Sequence, residues 1–100
     1  MKLFLISQEK VTGYDTYDCA VVSAESEADA RNIHPNGFVT HVTNGKWMGT
    51  YLRGKNIGSE YENYDCYSWP KYSDIDCVKV EYLGETDKPR GVIIASFNAG

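Results

Sequence analysis

This chain lacks most of the residue sets on which small-domain chemistry is usually built. Its three cysteines, Cys19, Cys66 and Cys77, are an odd number with no Cys-x-x-Cys pair. That pattern argues against a disulfide scaffold or a thiolate metal site and reads as reduced thiols. Two histidines, His34 and His41, stand without a His-Glu-x-x-His motif and without a cysteine or carboxylate at ligand spacing, so no metal ion and no cofactor is expected. Long apolar runs are also missing. Leu3 to Ile6 gives way at once to Ser7-Gln8-Glu9-Lys10, too short for a signal-peptide core, and nothing approaches the ~20 residues of a membrane span. The expectation is a cytoplasmic protein with no membrane partner.

A further absence is one of charge. Residues 30–59 contain no acid and carry Arg31, Lys46, Arg53 and Lys55, whereas residues 60–87 hold eight acids against two bases. An acidic chain, −4 overall, with a wholly non-acidic middle third has two candidate interaction surfaces of opposite sign. Within that third, Gly49 to Lys55 imitates a phosphate-binding loop, but Asn56 stands where a Mg²⁺-binding hydroxyl is needed and no strand–loop–helix frame surrounds it.

What is present reads as a single α+β domain, residues 1–100, long enough for one core. Its sheet is expected to be mostly antiparallel or mixed, with five to six strands and one or two short helices. Lys2 to Gln8 is apolar on both faces and predicts an interior strand, and Asp18 to Ala24 predicts a second. Ser26-Glu27-Ala28-Asp29 fits a helix N-cap with an acid at N3, opening a helix of about two turns that Pro35 stops. Phe38–Val42 and Lys46–Leu52 flank Asn44-Gly45, a hairpin signal because both central residues of a type I′ turn need positive φ. Ser59-Glu60-Tyr61-Glu62 repeats the capping pattern and predicts a second short helix to about Cys66, ended by Trp69-Pro70. Cys77 to Leu83 alternates as a half-wet strand. Val92 to Ala95, unbroken and rich in β-branched residues, is expected to be the central strand.

Two segments carry binding signals. On the hairpin, His41, Lys46, Trp47, Tyr51, Arg53 and Lys55 mix cationic and aromatic side chains with no carboxylate among them, a composition suited to a nucleotide or single-stranded nucleic acid. Their bland counterpart is that Trp47 and Tyr51 are core. Further on, Tyr61, Tyr64, Tyr67, Trp69 and Tyr72 lie among acids, a composition suited to docking on a basic protein surface, unless these rings form a second small core. Catalysis has less support. His34 or His41 would have to meet a cysteine or carboxylate in space for hydrolase-type chemistry.

Ile6-Ser7-Gln8, Gly13-Tyr14-Asp15-Thr16-Tyr17-Asp18, Val21 to Ser26, Ala30-Arg31-Asn32-Ile33-His34-Pro35 and Ala95 to Gly100 together resemble small proteins of unassigned activity encoded by tailed bacteriophages. The resemblance covers the first 35 residues, the strand around Val78 to Gly84 and the C-terminus, and does not extend to the basic hairpin or the Tyr-rich segment. It implies expression in an infected bacterial cytoplasm and brings no catalytic residues with it. The reading is then a non-catalytic binding protein that antagonises a host or antiviral-defence factor. It would do so by sequestering a nucleotide signal or by docking on a host protein. A small hydrolase and a structural or accessory phage protein are the alternatives. The oligomeric state is left open, a homo-oligomer included.

Overall fold

The computed structural model describes residues 1–52, 55–62 and 68–98, with side chains described for 1–49 and 68–98. Chain order is β1 (Lys2–Ser7), β2 (Thr16–Ala24), α1 (Glu27–Arg31), β3 (Val39–Thr43), β4 (Lys46–Leu52), β5 (Lys55–Glu62), a 3-10 turn (Tyr72–Cys77), β6 (Lys79–Glu85) and β7 (Gly91–Asn98). Every strand pair is antiparallel. The fold is α+β as expected, but the strands divide between two sheets, one ordered β6-β1-β2-β7 and the other β3-β4-β5.

The two-sided apolar pattern of β1 has the predicted consequence, an interior position between β6 and β2. Phe4 opposes Val22 and Ile6 opposes Ala20 across β1 and β2, and all four are buried. They form one face of a single core that also takes Ala30 and Ile33 from α1 and its exit, Val39 and Trp47 from the hairpin sheet, and Trp69 and Val78.

Local chemistry explains the helix and the hairpin. Ser26 sits in extended backbone and its hydroxyl accepts the Asp29 N–H at 3.1 Å. The Asp29 carboxylate in turn accepts the N–H of Glu25, just before the cap, at 3.0 Å, so one orphan donor of the helix and the N–H preceding its cap are both satisfied. The helix is shorter than predicted and closes at Arg31 with Asn32 as its C-cap. In the hairpin, Asn44 and Gly45 have φ of 54° and 72°, Thr43 pairs with Lys46 and Val42 with Trp47, as a type I′ turn requires.

Two expectations need correction, and one element goes unpredicted. The segment from Ser59 to Glu62 is part of strand β5, paired with β4, and not the start of a helix; the remainder of that predicted helix, 63–66, lies outside the described residues. Residues 72–77 form a 3-10 turn that no capping pattern announced. Most consequentially, the strand at the C-terminal end is not central. Among the described residues β7 pairs only with β2 and forms the edge of its sheet.

Candidate docking surface

Two of the predicted binding rings lie in the core. Trp47 is 3% exposed and Trp69 fully buried. Their rings, with His34 and Tyr72, make an aromatic cluster at the junction of the two sheets. His34 stands edge-on to Trp47 with centroids 5.1 Å apart, and Trp47 edge-on to Tyr72 at 5.2 Å, the geometry that ring quadrupoles favour. The cluster is wired as well as packed. Trp47 Nε1–H donates to the Pro70 carbonyl at 3.1 Å, and the Tyr72 hydroxyl donates to Asn32 Oδ1 at 2.8 Å. The His34 Nδ1 accepts the Asn36 N–H at 3.0 Å, which fixes the turn after α1. The Trp47 and Trp69 rings are therefore structural: neither face is offered to a base or to a partner.

Of the remaining hairpin candidates, His41 and Lys46 have described side chains. Lys46 is exposed at the start of β4, and His41, on β3, has its Nδ1 2.9 Å from Thr40 Oγ1. Tyr51, Lys55 and Tyr61 lie on β4 and β5, while Arg53, Tyr64 and Tyr67 fall outside the described residues.

The exposed apolar surface lies elsewhere, on the four-stranded sheet. Side chains alternate across a strand, so the face opposite Phe4, Ile6, Ala20 and Val22 carries Leu5, Cys19 and Val21. Leu5 opposes Val21, and Val21 opposes Ile94. One apolar residue from each of three neighbouring strands thus forms a row across the sheet. It ends on Ile94, which is 65% exposed. An open depression of about 340 Å³ lies beside this row, lined by Leu5, Cys19, Val21, Ile94 and Ser96. Around the row stand Ser7, opposite Cys19, and Glu81, opposite Leu5. Chemically this is a flat apolar patch with a polar rim.

Sequence reasoning found these residues but assigned them to the core. An apolar run shows that a strand has two dry faces; it does not show which neighbour dries each of them. The missed signal was arithmetic. Leu3, Leu5, Val21, Ile94 and the hairpin rings exceed what a single short helix can cover.

Comparison with protein-family models, with curated proteins and with solved structures finds no match to this chain.

Proposed function

We propose that this is a non-catalytic binding protein that docks on a host bacterial protein through the open face of its four-stranded sheet. The observation that carries the reading is the row Leu5–Val21–Ile94, laid across three strands and ending in a largely exposed isoleucine. A contiguous apolar patch within a polar rim is the composition of an interface centre, where burial supplies affinity and the rim excludes water. Each Å² of apolar area removed from water contributes roughly 25 cal/mol, which is set against the entropic cost of association. The resemblance of the chain's ends to small phage proteins supports an infected bacterium as the setting and a host or antiviral-defence factor as the partner.

The nucleotide-sequestering version has weaker support, because it relied on Trp47 as a stacking platform and that ring is in the core. The test pairs the wild-type chain with Leu5→Lys, which puts a charge at the start of the apolar row. Immobilised wild-type protein should retain a defined host protein from bacterial lysate, and Leu5→Lys, with unchanged circular dichroism, should lose it. Equal retention by both forms would overturn the docking reading. Heat released on titration with cyclic or linear nucleotides would revive the other version.

A further inference from the structure

The docking face runs out at β7, and β7 has a second unusual property. From Gly91 to Asn98 the strand contains no charged residue. Ile93 is 43%, Ile94 65% and Phe97 44% exposed, and neighbouring residues in a strand point to opposite faces, so both faces are apolar. Such a strand belongs inside a sheet, yet among the described residues one of its hydrogen-bonding edges has no strand beside it.

The opposite edge of the same sheet shows the contrast. There β6 carries Lys79, Glu81 and Glu85 and a register shift where it pairs with β1 at Leu3/Phe4. Edge charges and bulges are the devices that prevent strand-to-strand association. Both edges carry a one-residue irregularity, at Leu83 on β6 and at Ile93 on β7, where Val92 opposes Val22 and Ile94 opposes Val21; the charges are on β6 alone. Along β7, the stretch from Ile94 to Asn98 runs without an extra residue on its own strand, since the irregularity between Tyr17 and Cys19 lies on β2.

We propose that β7 pairs antiparallel with β7 of a second copy of this chain, joining two four-stranded sheets into one continuous sheet about a two-fold axis. The occupant is a second copy on grounds of charge. Each chain is acidic, at −4, and two copies repel wherever their surfaces carry that excess. An eight-residue uncharged strand is a place where they meet without opposing like charges. Antiparallel pairing of identical strands is isologous, so one surface supplies both sides. A two-fold axis perpendicular to the sheet keeps the side chains of both copies on the same face. The row Leu5–Val21–Ile94 then continues into its mate, and the docking face doubles in length.

This goes beyond the docking reading and fails separately from it, because Leu5 lies two strands inward from the edge, roughly 10 Å away at the usual strand spacing. The test is the mass of the full-length chain by light scattering and sedimentation equilibrium over a wide concentration range. Wild-type protein should have the mass of two chains. Ser96→Lys and Val92→Lys, which set like charges across the two-fold, should each have the mass of one, and Leu5→Lys should remain a dimer. Amide hydrogen exchange on wild-type protein provides a readout that needs no variant. Protection along residues 92–97 should rise with protein concentration, while that of β6 should not. A wild-type monomer throughout, a dimer untouched by either lysine, or β7 amides whose protection is independent of concentration would each overturn the proposal. A host-protein capture lost in Leu5→Lys but retained in Val92→Lys, whose residue opposes the buried Val22 and does not line the docking depression, would separate face docking from edge pairing.

Discussion

Trp47 Nε1–H donates to the carbonyl of Pro70 at 3.1 Å, a contact spanning 23 residues of sequence between β4 and the segment leading into the 3-10 turn. Both partners are buried, and the bond holds the hairpin sheet to the rest of the core beside His34 and Tyr72. Trp47→Phe keeps a ring in the cluster but leaves the Pro70 carbonyl without its donor, which costs about 1–3 kcal/mol. Trp47→Ala removes the ring as well and costs about 3–5 kcal/mol. Urea unfolding should show this order, with the phenylalanine variant still cooperative. An alanine variant as stable as wild type would mean that Trp47 is a surface ring after all.

Gln8 is nearly buried and spends its whole amide on the backbone. Its Nε2 donates to the carbonyls of Val11 at 2.7 Å and Tyr17 at 2.8 Å, and its Oε1 accepts the Val11 N–H at 2.7 Å. The loop from Glu9 to Asp15 has little regular structure of its own, so one side chain closes it. Gln8→Leu fills the same space, strands these three backbone groups and should cost about 1–3 kcal/mol. Gln8→Glu keeps the acceptor but sets a nearly buried carboxylate oxygen against the carbonyls of Val11 and Tyr17, and should cost more than Gln8→Leu. Loss of Val11 amide protection in Gln8→Leu, ahead of global unfolding, is the local readout.

How far the sequence could be read follows the range of the interactions involved. Ser26 with Asp29, Asn44 with Gly45 and the two-sided β1 were legible because caps, turns and periodicity act within a few residues. At Ser59–Glu62 the same local rule failed. The S-x-x-E pattern favours a helix start, but pairing of β5 with β4 supplies a ladder of hydrogen bonds and overrides it. The position of β7 was illegible for another reason. Apolar content shows that a strand has two dry faces without showing the strand order, and here a strand with an interior composition sits at an edge. For Trp47 and Trp69 the choice between core and interface stayed open, because aromatic composition is the same in both; the register, Val42 opposite Trp47, goes with a buried ring.

The hairpin holds two glycines that resist substitution for different reasons. Gly45 has a φ of 72° with open space where a side chain would be, so its requirement is conformational. Gly49 has no such φ, but a β-carbon there would collide with the backbone carbonyl of Phe38, so its requirement is spatial. Asparagine tolerates positive φ, and Gly45→Asn should cost under ~1 kcal/mol while Gly45→Val costs more. At Gly49 asparagine gives no relief, and even Gly49→Ala should cost about 1–3 kcal/mol as the strand crossing is forced apart. Thermal unfolding of these four variants separates the two cases.

Alkaline titration offers a check on the edge strand β6. The Tyr82 hydroxyl donates to Glu85 Oε2 at 2.7 Å. That hydrogen bond, then desolvation, then the negative charge of Glu85 hold the phenol above its ordinary value of 10.0. A group whose folded-state pKa is raised binds its proton more tightly in the native state than in the unfolded chain. Its contribution is therefore fully present below pH 10 and is lost as pH climbs through the native-state value. Tyr82 is more than half exposed, so the effect on stability is small and the spectroscopic readout is the sharper one. The Tyr82 ring carbon resonance should titrate above the ordinary value of 10.0, and Glu85→Ala should bring it down toward the ordinary range. In Tyr82→Phe the stability difference from wild type should be constant below pH 10. Above that point it should shift in favour of the variant, because the wild-type chain alone gives up the bond to Glu85. A Tyr82 titration that Glu85→Ala leaves unmoved would show that the hydrogen bond does not form in solution.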